Sequence, residues 1–145
     1  MVSLSPAEPL KQEAKELYDA AKEEARKVRG NGAKLARLVE IRLSFDKDYD
    51  LALKHARTWA ATAIENPFDR SWLDPLKYEM EGRKVPDERM AEKYGVTTDI
   101  EEFRKKLEAL KAFGYTKLQI HSSSPDEEEV LNEISKILPS LRERR

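Results

Sequence analysis

The sequence predicts an α/β fold with a parallel sheet, because one strand-to-helix pattern occurs three times along the 145 residues. The clearest copy spans 117–129, where a short apolar strand ends in three serines and an acidic helical run follows. Ser124 can cap the next helix, and Pro125 fits its first position. The other copies begin at Leu38 and at Tyr94. Three strands that each lead into a helix favour a parallel sheet.

The first strand, 38–44, alternates apolar and polar residues, which predicts two different faces. The apolar side chains are Val39, Ile41 and Leu43, and the polar ones are Glu40, Arg42 and Ser44. We expect the polar set to face a barrel interior or a partner. Apolar residues at helical spacing before this strand predict an amino-terminal helix that ends near Arg29, at a Gly-Asn-Gly stop.

A second helix and a long excursion follow the first strand. Asp46 can cap this helix, and Trp59 is expected in the core on its apolar side. The excursion, 66–86, contains a short helix through Met80. Excursions of this length usually carry function or cover a surface.

Two further helices complete the predicted chain. One runs from Asp99 to Phe113, and Gly114 closes it in a left-handed conformation. The last runs from Asp126 to about Arg142. Its predicted buried residues are Val130, Leu131, Ile134, Ile137 and Leu138.

The predicted organisation is a single domain over 1–145. The amino-terminal helix lies in 1–33, and three strand-helix units with the insertion at 66–86 occupy 34–145. This length is sufficient to bury an apolar core.

The composition excludes several classes of function. Lys and Arg (27) nearly balance Asp and Glu (28), so no net field favours nucleic acid or an anionic membrane. No apolar run is long enough to span a membrane, and no cysteine is present for a disulfide, a thiolate metal site or a Cys nucleophile. We expect a cytoplasmic protein without nucleic-acid or membrane partners.

Several runs of residues, in this order and spacing, resemble the carboxyl-terminal part of the luciferase-like superfamily. The resemblance is to its branch that uses the deazaflavin coenzyme F420. The matching runs are 38–46, 52–60, Asp74-Pro75, Val85-Pro86, 90–94, 96–99 and Gly114-Tyr115, up to the Ser-Pro-Asp turn. They cover nearly all of this chain, but only about the last two-fifths of such an enzyme.

The resemblance implies part of a TIM (β/α)8 barrel, with three parallel strands and flanking helices. It implies an oxidoreductase that transfers a hydride to or from F420, or a monooxygenase that uses reduced flavin, with FMN as the alternative cofactor. The family's catalytic His, Glu and Trp lie mostly in the first two-thirds of the barrel. Neither His55 nor His121 matches that histidine, so no catalytic residue is assigned, and no cofactor is expected for the isolated chain.

The resemblance also implies two residues that bind a substrate phosphate, Arg70 and Lys93. Trp72, His121 and Ser122 are candidates to line a pocket at the carboxyl end of the strands. The alternative is structural: Arg70 forms a surface ion pair, and the serines belong to a turn. No metal site is predicted, because the acidic run after Pro125 suits a helix amino terminus.

Two functions remain open at this point. The chain is a carboxyl-terminal fragment or subunit of an F420-dependent oxidoreductase, inactive alone; alternatively, it is a non-enzymatic module that self-associates. Both predict a partner, either a second copy or the amino-terminal part of the barrel, because an incomplete barrel exposes strand edges.

Overall fold

The computed structural model describes residues 12–30, 36–64 and 74–141. Within these ranges the helices are α1 (Gln12–Arg29), α2 (Tyr49–Arg57), α3 (Pro75–Gly82), α4 (Asp87–Tyr94), α5 (Ile100–Ala112) and α6 (Glu127–Leu141). The strands are β1 (Leu38–Phe45), β2 (Val96–Thr97) and β3 (Lys117–Ser122), and a 3₁₀ helix (Ala60–Ala63) follows α2. Each strand is followed along the chain by a helix, as the repeated pattern predicts.

The three strands form a parallel sheet in the order β2-β1-β3. β1 pairs with β3 along 38–43 and 117–122, whereas β2 pairs only with Ser44 and Phe45 at the end of β1. The predicted α/β class with three parallel strands and flanking helices is therefore confirmed. The second strand begins later than predicted, because α4 continues through Tyr94.

Two apolar clusters hold these elements together. The first packs one face of β1 and Ile120 of β3 against α5 and α6, with Leu107 fully buried. The second packs α2, the 3₁₀ helix and α4 around Met90, which is also fully buried. The apolar residues of β1 that the alternation predicts to be inside are Val39, Ile41 and Leu43, and all three are buried in the first cluster.

Aspartate side chains cap the helices that follow the strands. Asp48 caps α2, Asp99 caps α5, and Asp126 Oδ1 accepts a hydrogen bond of 2.9 Å from a backbone N–H in the first turn of α6. The predictions that Asp46 and Ser124 cap these helices were wrong. In each case the cap lies two residues later, because a local turn precedes the helix.

Three large apolar side chains predicted in the core are exposed instead. Trp59 is 54% exposed, and Leu131 and Leu138 of α6 are 65% and 38% exposed. The buried face of α6 runs through Val130, Ile134 and Ile137, at helical spacing. Leu131 and Leu138 each follow a buried position by one residue, which rotates them to the flank of the helix.

α1 lies on the surface and buries none of its side chains. Leu17 and Val28 are 65% and 83% exposed. Tyr18 makes one described contact between α1 and the rest of the chain. The centroid of its ring lies 5.1 Å from the Arg37 guanidinium carbon. Arg37 is buried and also lies over two aromatic rings that follow α5, so its cation joins α1 to the first cluster.

Candidate functional site

The face of the sheet opposite α5 and α6 carries polar side chains. The register places Glu40 beside Gln119 and Arg42 beside His121, and each residue is at least partly exposed. Because side chains alternate along a strand, these four residues share one face of the β1–β3 pair. In a closed barrel, this face lines the interior. We call these four residues the polar face.

His121 is in contact with both neighbours on the polar face. Its Nε2 atom lies 3.5 Å from Glu40 Oε1 and 3.0 Å from Gln119 Nε2. The amide nitrogen of Gln119 is a hydrogen-bond donor only, so it can donate to His121 Nε2 only when Nε2 carries no proton. When Nε2 carries a proton, it can donate to the Glu40 carboxylate instead. The proton on the ring therefore selects between the two partners. The sequence alone revealed no partner for His121. In the structure its partner is Glu40, which lies on β1 two residues before Arg42.

The guanidinium of Arg42 lies over an aromatic ring on α4. Its guanidinium carbon is 4.9 Å from the centroid of the Tyr94 ring, which is 2% exposed. The Tyr94 hydroxyl donates a hydrogen bond of 2.8 Å to the Trp59 carbonyl and also contacts the Thr62 hydroxyl. The ring under Arg42 is thus fixed at both its face and its hydroxyl.

Gly95 allows α4 to approach the backbone of β1 next to Arg42. Its φ is +56°, and a Cβ at this position would lie 2.7 Å from the Arg42 carbonyl oxygen. The carbonyl of Gly95 accepts a hydrogen bond of 3.3 Å from the Ser44 N–H. A residue without a side chain is therefore required where α4 ends against the strand.

The serine run 122–124 joins the ends of β3 and β1. Ser124 Oγ is buried; it accepts a hydrogen bond from the Phe45 N–H at 3.1 Å and donates one to the Phe45 carbonyl at 2.5 Å. Ser122 Oγ accepts a hydrogen bond of 3.1 Å from the Ser124 N–H. These two hydroxyls are engaged with backbone groups of the turn and of β1.

At the same end of the sheet, a surface ion pair links the loop after β1 to α6. Lys47 Nζ lies 2.5 Å from Glu129 Oε1. The hydrogen bond to the Glu129 carboxylate, together with its negative charge, raises the pKa of Lys47. The charge of Lys47 is thus already paired with that of Glu129 at the carboxyl end of the sheet.

The remaining predicted site residues lie elsewhere. Lys93, in the last turn of α4, donates a hydrogen bond of 2.6 Å to the carbonyl of Thr62 in the 3₁₀ helix. Arg70 and Trp72 fall outside the described residues. The structure therefore brings His121 together with Glu40 and Gln119, and it brings Lys93 together with Thr62.

The described residues offer no metal site, since residues 12–30, 36–64 and 74–141 contain no group of three or more His, Cys, Asp or Glu able to hold an ion. None of the helices described is both long and apolar enough to cross a lipid bilayer.

Both long edges of the β1–β3 pair are open over most of their length in the described part of the chain. β2 covers only the last two residues of β1, and no described strand pairs with the outer edge of β3. Unpaired backbone groups on such edges accept further strands.

No family model matches the chain. In sequence it is similar to the F420-dependent glucose-6-phosphate dehydrogenase of Microbacterium testaceum, with 32% identity over 108 residues that cover 74% of this chain and 32% of the relative. The enzyme of the same name from Mycolicibacterium fortuitum is 30% identical over 127 residues, or 87% of this chain and 38% of the relative.

The fold is similar to that of an F420-dependent secondary alcohol dehydrogenase solved in complex with an F420-acetone adduct. The two share a TM-score of 0.75 and 25% identity, over 97% of this chain and 41% of the solved chain. In sequence and in fold, the chain resembles the carboxyl-terminal part of the luciferase-like F420-dependent oxidoreductases. It spans 32% and 38% of the length of the two relatives named above. The resemblance and the partial-barrel fold class inferred from the sequence are confirmed.

Two features of the described residues bear on coenzyme binding. The polar face is one open wall, and an open depression of about 520 Å³ lies along α6. This depression is lined by Asp126, Glu128, Glu129, Asn132, Glu133 and Lys136. The carboxylates of this depression disfavour an anionic ligand. No step of hydride transfer is therefore assigned to these residues.

Proposed function

We propose that this chain forms the carboxyl-terminal part of an F420-dependent oxidoreductase and is inactive by itself. One observation carries the proposal. The chain aligns over 97% of its length with a solved F420 enzyme of which it covers 41%, and among its described residues the β1–β3 pair is open along most of both long edges. Further strands are needed to enclose the polar face.

The proposed reaction is hydride transfer between F420 and a carbon that bears a hydroxyl group. The names of the relatives support this class, since they act on glucose 6-phosphate or on secondary alcohols. They also support F420 rather than FMN as the coenzyme. The cytoplasmic location predicted from the sequence stays a prediction.

The proposed partner is the amino-terminal part of the same barrel type, which would pair with the open edges of β1 and β3. For the isolated chain, we expect a second copy to cover these edges. Sedimentation velocity at increasing protein concentration measures this directly, and a folded monomer at every concentration would contradict it.

The function is tested by mixing the chain with the amino-terminal part of the Mycolicibacterium fortuitum enzyme. We expect the pair to reduce F420 in the presence of glucose 6-phosphate or a secondary alcohol, measured as loss of the absorbance of oxidised deazaflavin. Neither part alone should be active. A folded complex that neither binds F420 nor reduces it would refute the proposed oxidoreductase role.

A calorimetric titration of the isolated chain tests the inactive state separately. We expect no tight binding of F420 or FMN. One coenzyme per chain at micromolar affinity, about −8 kcal/mol, would show that the cradle lies within this chain.

A further inference from the structure

We propose that Arg42 binds an anionic group of a small molecule, a phosphate or a carboxylate, at the polar face. The inference stands on the contacts of the described residues; only the enclosure of the polar face in a closed barrel rests on the proposed function, and the F420 reaction is not needed for it. The family resemblance implied Arg70 and Lys93 for a substrate phosphate, and the alternation in β1 placed Arg42 only on its polar side.

In the part of the chain that the structure describes, no carboxylate forms an ion pair with Arg42. Among the described residues, its guanidinium takes part in no ion pair and in no side-chain hydrogen bond, and its one recorded contact of this kind is with the Tyr94 ring. The nearest carboxylate along its own strand face, Glu40, contacts His121 instead. The surface arginines Arg57 and Arg104, in contrast, are each paired with a carboxylate.

Among the described residues, no partner occupies the N–H donors of Arg42. A guanidinium that lies over a ring uses its planar face, while its five N–H groups point outward in the plane. These donors match the spacing of two oxygens on phosphate or carboxylate. The ring therefore holds the guanidinium in place and leaves its N–H donors available to an anion.

The position of Arg42 is suited to a ligand. It is close to the carboxyl end of β1 and beside His121 in the register, on the face that lines the interior of a closed barrel. Ligands bind at the carboxyl ends of the strands in barrels of parallel strands.

Other groups at this end are already engaged. Asp48, Asp99 and Asp126 occupy the amino termini of α2, α5 and α6, and Lys47 is paired with Glu129. The backbone amides that often hold anions are thus in use. Among the cations described on this face, Arg42 is held over an aromatic ring and has no carboxylate partner.

The ring beneath Arg42 is held by further contacts, which lower the cost of ordering the arginine side chain on binding. Tyr94 is held through its hydroxyl, and Gly95 brings α4 against the Arg42 carbonyl. A flexible surface arginine has no comparable support.

The test is an NMR titration of the whole chain with inorganic phosphate, in which the Nε–Hε resonances of all arginines are followed. Sodium chloride at matched ionic strength is the control. We expect a saturable shift at Arg42 with a dissociation constant on the order of millimolar, and no saturation at Arg104. An Arg42 response no larger than that of Arg104, or equal in chloride, overturns the proposal.

Variants and a second anion sharpen the result. Arg42→Gln should abolish the saturable response, and Arg42→Lys should weaken it about fivefold, the equivalent of one hydrogen bond. Arg104→Gln is the matched control and should leave it unchanged. Acetate in place of phosphate distinguishes a carboxylate site from a phosphate site. If Arg42→Gln does not fold, the comparison of Arg42 with Arg104 in the unmodified chain still decides whether Arg42 binds the anion.

Discussion

Replacement of Gly95 by alanine should destabilise the chain strongly, because two separate penalties act at this position. The φ of +56° disfavours any L-residue with a side chain, at about 1–2 kcal/mol. The new Cβ would also lie 2.7 Å from the Arg42 carbonyl oxygen, a backbone atom that cannot rotate away. Overpacking of this kind costs about 1–3 kcal/mol. We expect a total loss of about 2–5 kcal/mol in the free energy of unfolding.

Urea unfolding followed by circular dichroism measures this loss as a lower midpoint at constant slope. Gly95→Asn separates the two penalties, because asparagine tolerates the left-handed conformation but still carries a Cβ. We expect Gly95→Asn to retain the steric part, about 1–3 kcal/mol. Gly30→Asn, at a φ of +81° with no atom near the new Cβ, is the control and should be nearly neutral. A Gly95→Asn variant within about 0.5 kcal/mol of the parent chain would refute the close contact between α4 and β1.

Leu107→Ala removes a fully buried side chain and should cost about 2–5 kcal/mol in urea unfolding. Leu131→Ala, at a site 65% exposed, should stay within about 0.5 kcal/mol, and equal losses would contradict the position of the core. Ser124→Ala should cost about 1–3 kcal/mol by the same assay, since two backbone groups of β1 lose their buried partner; a neutral result would mean that they are solvated. The Lys15 hydrogen bond lowers the pKa of Asp19 below its ordinary 3.8, so the pair is intact above that pH and is lost as the pH falls through the lower folded value. Lys15→Ala should raise the titration midpoint of the Asp19 carboxyl in NMR, and an unchanged midpoint would exclude Lys15 as the cause.

Local patterns identified most of the elements, since each depends on neighbours along the chain. The alternation in β1 predicted its buried residues because side chains of a strand point to opposite faces by geometry alone. The boundaries were less accurate. Asp46 and Asp48 are both able to cap a helix, and only the turn made by the folded backbone selects Asp48.

Burial of single side chains on helix flanks could not be predicted in the same way. Trp59 has the character of a core residue, yet it lies exposed after the end of α2, where its carbonyl holds the Tyr94 hydroxyl. Whether a flank is covered depends on which elements pack beside it. That information lies in the tertiary structure.

The sequence by itself determined the parallel α/β class, the family resemblance and the inside face of β1, because these follow from residue order and from periodicity. Only the tertiary structure decided the pairing of His121 with Glu40 and the stacking of Arg42 on Tyr94. These contacts join residues that are far apart in the chain, through the register of β1 with β3 and the approach of α4 at Gly95. No local pattern encodes such distances, since they arise when strands and helices pack.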